Sequence, residues 1–465
     1  MPNGVRDNES FPDISRSDAW YARAAGLIPA GTQTLAKGPG QYVRGVAPKY
    51  LARGKGCRVW DVDGNEYLDY QMGIGPLSLG YANEAVDAAI REQLADGITF
   101  SLMHPLEVEV AELVRELVPG AEGVRYSKTG CDATTAAVRL ARAFTGRDRV
   151  LCCGYHGWHD WYIGVTDRNA GIPRAVAELT ATFGYNDLAS VIEAIDDQTA
   201  CVILEPVTFE EPRDGFLSEL RRVCDQVGAL LIFDEMWTGF RLALGGAQER
   251  FAVRADLACF SKAIANGMPI SVVTGRRDVM ALCEKDVFFF TTFGGEALSL
   301  AAAKATIGEL RAHRVPEQLE RLGGKLKAGY NALAAELGLD FTRCVGYGCR
   351  SMVTFDAKAG DPLVLKSLAQ QELIRRGVLW GGFHNLSFAH GDADIAYTLE
   401  AWRGALSALR EAVAESGAGG AGVAAGAGVA AGAAALRARL RGEPVEPVFR
   451  RTTGFNLKPR VAARS

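Results

Sequence analysis

The chain lacks three features that would each have pointed to a class of function. It has no block of basic residues. Its 51 Lys and Arg stand against 55 Asp and Glu, a formal net charge of -4, so neither nucleic acid nor an anionic membrane is an implied partner. It has no apolar run approaching a membrane span, and Met1 to Ser15 is polar, without the apolar centre of a secretory signal. Its 10 cysteines are scattered singly apart from Cys152-Cys153, with no CxxC or metal-finger spacing. They read as reduced thiols, and a cytoplasmic protein is expected. What is present is ordinary for a globular chain: 48 % hydrophobic and 23 % charged residues. At 465 residues the chain is too long for one core, which implies two domains with extensions.

The text changes character along its length. Residues 1–85 read as an arm with short strands, and Cys57-Arg-Val-Trp-Asp-Val-Asp-Gly-Asn-Glu-Tyr-Leu-Asp69 reads as a hairpin turning at Asp63-Gly-Asn65. Residues 86–314 open with helical periodicity and then alternate apolar runs with helical pattern. The runs are Arg149-Val-Leu-Cys-Cys153, Ala200-Cys-Val-Ile-Leu204, Ala229-Leu-Leu-Ile-Phe233 and Leu257-Ala-Cys-Phe260. Runs apolar on both faces suit strands covered by helices on both sides, hence an α/β fold with a doubly wound, mostly parallel sheet. Residues 315–415 read as a smaller α+β domain, with helices expected over 316–337, 363–377 and 393–414. Residues 416–465 read as an Ala/Gly-rich linker and a basic tail. The GxGxxG match at 417–422 follows a helix, lies in biased sequence, and is rejected as a dinucleotide site. Two readings stand for the tail, a strap over a dimer or a disordered end.

Ligands of open α/β sheets bind beyond the carboxyl ends of the strands. The four runs end in Tyr155-His156, Glu205, Asp234 and Ser261-Lys262. Alone, Asp234 reads as a capping acid and Lys262 as a solvated lysine. Together they are the layout of a Schiff-base cofactor site: a lysine among apolar neighbours becomes nucleophilic, and an acid at a facing strand end holds a heterocyclic nitrogen protonated. Tyr126-Ser-Lys-Thr-Gly-Cys-Asp132 precedes a helical run, and Thr129-x-x-Asp132 has the capping-box form. Such a turn offers free N–H groups to a phosphate. His156 and His159 are spaced i, i+3, but no Cys or carboxylate set near them in sequence completes a ligand group, and no metal is expected.

These residues together resemble the class III aminotransferases, a branch of the fold type I pyridoxal-phosphate enzymes, with the nearest likeness to the glutamate-1-semialdehyde aminomutases. The likeness extends over about residues 20–412. It is carried by Trp60-Asp-Val-Asp-Gly-Asn-Glu-Tyr-Leu-Asp69, Ala137-Val-Arg-Leu-Ala-Arg142, Leu231-Ile-Phe-Asp-Glu-Met-Trp-Thr-Gly-Phe-Arg241 and Phe260-Ser-Lys-Ala-Ile-Ala-Asn-Gly-Met-Pro269. The resemblance implies pyridoxal 5'-phosphate as cofactor. Lys262 would form the Schiff base and move the proton of the 1,3-shift, and Asp234 would pair with the pyridinium nitrogen. Tyr155 would stack on the ring, with Met236 near its other face. Thr129, Gly130 and Cys131 would hold the phosphate, with His156 and Glu205 as further cofactor contacts. Thr292 would reach the phosphate of a neighbouring subunit, which implies a homodimer with shared sites. An amino donor, glutamate by resemblance, and a carbonyl acceptor would be the small-molecule partners.

The departures surround the substrate. The aminomutases carry tryptophan where Ile74 stands, arginine where Lys37 stands, glutamate where Gly382 stands, and Asn-Pro where Glu296-Ala297 stands. Trp380-Gly-Gly-Phe-His-Asn-Leu-Ser-Phe-Ala-His390 reads as a polar, roomy wall suited to a hydroxylated, sugar-like acceptor. Lys37, Ile74, Glu296 and His384 are the substrate-side candidates. Aminotransfer between two molecules is the leading expectation, intramolecular aminomutation the alternative, and an inactive cofactor-binding homologue a remote third.

Overall fold

The computed structural model describes residues 10–417 and 427–447. They divide into two compact units, one formed by residues 84–317 and the other by 10–83 together with 318–417 and 427–447.

The continuous unit is built on a seven-stranded sheet. Its spatial order is Gly123–Ser127, Ser271–Gly275, Leu257–Phe260, Leu230–Asp234, Thr199–Leu204, Arg149–Cys153 and Thr180–Thr182. The last five are mutually parallel, and Ser271–Gly275 runs antiparallel to both its neighbours. The runs are apolar throughout because each face has its own cover. Val150, Cys152, Cys201, Ile203, Ile232 and Cys259 pack with Ala133, Ala137 and Leu140 of the helix Gly130–Thr145. The alternate residues Leu151, Cys153, Val202, Leu204, Leu231 and Phe233 pack with Leu217, Leu220 and Cys224 of the helix Phe216–Val227. Period-two alternation between two covered faces is what a central parallel strand requires.

The discontinuous unit holds two smaller sheets. Leu51–Lys55, Arg58–Asp61 and Glu66–Asp69 form an antiparallel set, and Val378–Leu379 joins it in parallel to Glu66–Asp69. Thr342–Gly346, Arg350–Phe355 and Phe383–Asn385 form an antiparallel three-stranded sheet. The helices Val315–Glu336, Pro362–Arg375 and Asp392–Ser416 match the expected positions within two residues at each end.

The C-terminal reading needs a correction. The linker expectation over 417–435 falls partly on 418–426, outside the described residues, but Ala427–Ala438 is a helix packed beside Asp392–Ser416. Alanine has the best intrinsic helix propensity, and here that outweighs the interspersed glycines. The stretch after it lies back on its own unit. Gln371 Nε2 donates to the Arg439 carbonyl (3.1 Å), and the Val445 amide donates to Ser367 Oγ (2.9 Å). Among the described residues no helix is long and apolar enough to cross a membrane.

Candidate active site

Four adjacent parallel strands, Leu257–Phe260, Leu230–Asp234, Thr199–Leu204 and Arg149–Cys153, end on one edge of the large sheet. The four endings grouped from the sequence therefore share a rim. Asp234 pairs with Cys259 on the neighbouring strand, so Lys262 begins just past the same edge. Lys262 opens a short 3-10 turn, Lys262–Ala265, in left-handed backbone at φ 46°. A non-glycine residue held there costs about 1–3 kcal/mol, and such strain concentrates at functional positions.

Asp234 is 1 % exposed. One carboxylate oxygen lies 2.8 Å from His156 Nδ1, and the other accepts from the Met236 amide at 3.1 Å. His156 is equally buried. Its Nε2 lies 3.1 Å from the Cys153 carbonyl, and its ring stacks beside Trp161 and meets the edge of Tyr162. The i, i+3 histidines are thereby separated in role. His156 serves Asp234, while His159 Nδ1 lies 2.8 Å from Thr135 Oγ1.

Tyr155 is half exposed, and its amide donates to Glu205 Oε1 at 3.1 Å. Glu205 thus holds the tyrosine's backbone at the rim. Burial, then the neighbouring Cys131 and Asp234, raise the Tyr155 hydroxyl above its usual range. The next acid along the rim, Glu235, is fully buried. It accepts from the Ala247 and Gln248 amides at 2.8 and 3.1 Å, and from the Thr238 hydroxyl. Burial pushes its carboxyl up to about 7.

The turn before helix Gly130–Thr145 folds as the capping box. Thr129 Oγ1 accepts from the Asp132 amide (3.3 Å), and Asp132 Oδ2 accepts from the Thr129 amide (2.8 Å) and from Ser127 Oγ (2.9 Å). Although burial opposes it, these bonds hold the Asp132 carboxyl below its usual range. Gly130 and Cys131 open the helix, where no preceding turn supplies acceptors for their N–H groups. A Cβ on Gly130 would stand 2.9 Å from Met236 Sδ, and one on Gly157 would stand 2.3 Å from the Cys131 Cβ. The two glycines thus let the turn, Met236 and the Tyr155 segment close on one another. Cys131, Asp132 and His159 also bring ligand-type atoms within 4.8 Å of one another. This corrects the expectation that no Cys or carboxylate accompanies the histidines. All three are engaged in the cap and its neighbours, Cys131 Sγ at 3.1 Å from Thr129 Oγ1.

The substrate-side candidates fare differently. Glu296 is the N-cap of helix Ala297–Ala312, accepting from the Leu298 and Ser299 amides at 2.6 and 3.2 Å. It also pairs with Lys128 Nζ at 2.7 Å. Against the opposing effect of burial, Lys128 and Ser299 keep its carboxyl below the usual range. Lys128, unremarked in the sequence, ties this cap to the phosphate-type turn. Thr292 is exposed in the turn before Glu296. Lys37 is exposed on the discontinuous unit, and Ile74 sits there in left-handed backbone, φ 72°.

His384 is a correction. It is fully buried, with Nδ1 3.1 Å from Ser351 Oγ and Nε2 accepting from Trp402 Nε1 at 3.2 Å. Burial pulls it down to about 3. It is a core histidine with both nitrogens satisfied. The wall read as roomy is likewise closed, since Trp380, Asn385, Leu386, Ser387 and His390 are all buried. The polar groups of this segment hydrogen-bond inward, as in Ser387 with His390.

A buried acid anchored on a histidine, a lysine on the adjacent strand end, an aromatic ring at the rim and an open helix N-terminus fit a phosphorylated pyridine aldehyde. Comparison with known proteins agrees. Residues 42–387 match the family Aminotransferase class-III. The chain belongs to the class III aminotransferases. It is 36 % identical over 413 residues to 3-aminobutyryl-CoA aminotransferase of Cloacimonas acidaminovorans, covering 86 % of this chain and 98 % of that one. It is also 36 % identical over 431 residues to glutamate-1-semialdehyde 2,1-aminomutase of Roseiflexus castenholzii, covering 85 % and 98 %. Among solved structures, the pyridoxal-phosphate internal aldimine form of the Sphingopyxis sp. MTA144 FumI protein superposes with a TM-score of 0.80 at 31 % identity, covering 86 % and 97 %. This class III aminotransferase is thus a pyridoxal-phosphate enzyme of mixed α/β fold, acting on an amino donor and a carbonyl acceptor.

Proposed function

We propose that the enzyme moves an amino group between two separate molecules, with glutamate as donor and a ketone or aldehyde as acceptor. The observation that carries the cofactor chemistry is Asp234, buried and fixed by His156 on the strand beside the one that leads into Lys262. Bound pyridoxal phosphate supplies an electron sink that stabilises negative charge at the substrate carbon. Asp234 holds the proton on the ring nitrogen. His156 and the Met236 amide keep the carboxylate oriented. Tyr155 would cover a ring face, and the Gly130 and Cys131 N–H groups and the Thr129 hydroxyl would donate to the phosphate. Lys262 is the base that takes and returns the migrating proton. Gly382 and Ile74, in place of the glutamate and tryptophan of the aminomutases, favour transfer between molecules over the intramolecular reading.

A homodimer is part of the proposal. Ile98, Phe100, Leu102 and Met103 are exposed, the last at 82 %, as are Phe288, Phe290 and Phe293. The Ala297 amide donates to the Ile98 carbonyl at 2.9 Å, which joins the two stretches. Exposed large apolar side chains in such number favour a protein interface, and Thr292 stands between Phe290 and Phe293 in the same exposed stretch. Light scattering behind size exclusion tests the dimer; a monodisperse monomer overturns it.

A half-reaction screen tests the reaction. The purified holoenzyme is mixed with candidate amines and the released carbonyl product identified. Release of 2-oxoglutarate from glutamate with loss of the aldehyde absorbance is the expected result. Isomerisation of a diamine or amino aldehyde with no exchange against outside donors would establish the aminomutase instead.

A further inference from the structure

Residues 72–75 pass through left-handed backbone at four successive positions: Met72 at φ 45°, Gly73 at 66°, Ile74 at 72° and Gly75 at 94°. Glycine takes that backbone freely, whereas methionine rarely does and a β-branched residue there is an outlier. Such strain costs about 1–3 kcal/mol at each position and persists only where the surroundings impose it. Within the loop, the Ile74 and Gly75 amides donate to the Gln71 carbonyl at 2.8 and 3.1 Å. The constraint that reaches both ends of the loop comes from one side chain. Asp69 closes the strand Glu66–Asp69 and is 1 % exposed. Its Oδ1 accepts from the Gln71 amide at 2.7 Å. Its Oδ2 accepts from the Met72 amide at 3.1 Å and from the Tyr81 hydroxyl at 2.7 Å. Gln71 opens the loop and Tyr81 follows it, so a single carboxylate grips both ends.

A carboxylate is a costly group to place here. Burial raises it to about 6, and what opposes burial is the bonds from Tyr81, Gln71 and Met72 rather than a cation. An asparagine of the same shape would escape the charge, but its NH2 would face one of the three donors. Ile74 is partly exposed, whereas Met72 is fully buried. The strained stretch thus presents one branched apolar side chain that a small molecule can meet. We propose that Asp69 is a positioning residue for the reaction, clasping the loop 71–81 so that Ile74 is held in place on the substrate side. The proposal rests on the substrate-side reading of Ile74. Asp69 acts through the loop and touches neither substrate nor cofactor. Asn385 adds a further bond to the same loop, its Nδ2 donating to the Gln71 carbonyl at 3.1 Å.

The test compares Asp69→Asn with the wild type as full-length holoenzymes. Hydrogen exchange followed by peptide mass mapping needs no substrate. Amides of the loop 71–81 should exchange about tenfold faster in Asp69→Asn. Tyr81→Phe, which loses one hydroxyl and keeps the ring, should give a smaller rise in the same peptides, and it carries the test if Asp69→Asn does not fold. Ile74→Gly relieves the strain, because glycine accepts φ 72°. In that background Asp69→Asn should speed exchange much less. In the half-reaction with glutamate, Asp69→Asn should raise KM about tenfold, with kcat within about threefold and the cofactor absorbance unchanged. Unchanged exchange over the loop overturns the clasp. Faster exchange with an unchanged KM overturns the positioning role and leaves the aspartate structural. Ile74→Ala separates that failure from failure of the reading beneath it, since an unchanged KM there takes the loop itself off the substrate side. A wild type inert to glutamate fails the proposed donor instead, and KM is then measured with the amine that the half-reaction screen identifies.

Discussion

His156 Nδ1 lies 2.8 Å from Asp234 Oδ2 in a position closed to solvent. The histidine, rather than the strand alone, sets the direction in which Asp234 presents its carboxylate. Leaving a buried carboxylate oxygen without its hydrogen-bond partner costs about 1–3 kcal/mol or more. His156→Leu is therefore expected to lower the denaturant midpoint and loosen the cofactor together, read by chemical denaturation and by cofactor retained on gel filtration. Unchanged retention would remove the histidine from the site.

Lys262→Ala should abolish both the visible absorbance of the cofactor-loaded enzyme and its turnover. Asp234→Asn should keep the cofactor partly bound while cutting the rate about a hundredfold or more, because the sink loses the partner of its proton. Stopped-flow half-reactions separate the two effects. Retained turnover in Lys262→Ala would sink the assignment.

At Gly157 the φ of 104° and the 2.3 Å approach to the Cys131 Cβ leave no room for a side chain. Gly157→Ala should displace the first turn of helix Gly130–Thr145, lowering cofactor affinity with a stability loss of about 1–3 kcal/mol. Equilibrium dialysis of the cofactor checks the first part and thermal melting the second.

Glu296 caps a helix and pairs with Lys128. Glu296→Ala should cost about 0.5–2 kcal/mol as a lost cap, lowering the melting temperature while the acceptor KM stays within twofold. A large KM change with an intact melting temperature would restore its reading as a substrate residue.

His384 and His390 are both buried, and burial lowers them to about 3 and about 4 from the ordinary 6.5. The unfolded chain binds protons at these sites that the fold refuses. Their contribution to stability is complete above about pH 6.5 and is lost as pH falls toward 3–4. The urea midpoint of the wild type should fall through that window more steeply than that of His384→Asn. Parallel slopes would contradict it.

The rim was legible because its strands are short runs apolar on both faces that recur between stretches of helical pattern, the arrangement of covered strands in an α/β chain. The strand Gly123–Ser127 escaped notice because, at the edge of the sheet, it is only partly buried and carries Arg125 and Tyr126. His384 was misread for a different reason. Its partners Ser351 and Trp402 are remote in sequence, so a polar side chain satisfied within the core looks like one waiting for a ligand. For Glu296 a local signal existed, an acid directly before a helical run, and a cap was the simpler reading.

The discontinuous unit draws on both ends of the chain: the Val43 amide donates to Gln370 Oε1 across 327 positions, and Val378–Leu379 completes a sheet begun by Leu51–Lys55. On the ribosome, the first 83 residues emerge well before the strand and helix they must meet, whereas residues 84–317 can close on themselves as soon as they are made. Order of synthesis thus favours the continuous unit, and the N-terminal segment has to wait, with its pairing edge uncovered, until translation is nearly finished. An early stop in the last quarter of the message would leave a folded large unit trailing an unfinished sheet, a product suited to proteolysis or aggregation rather than to catalysis.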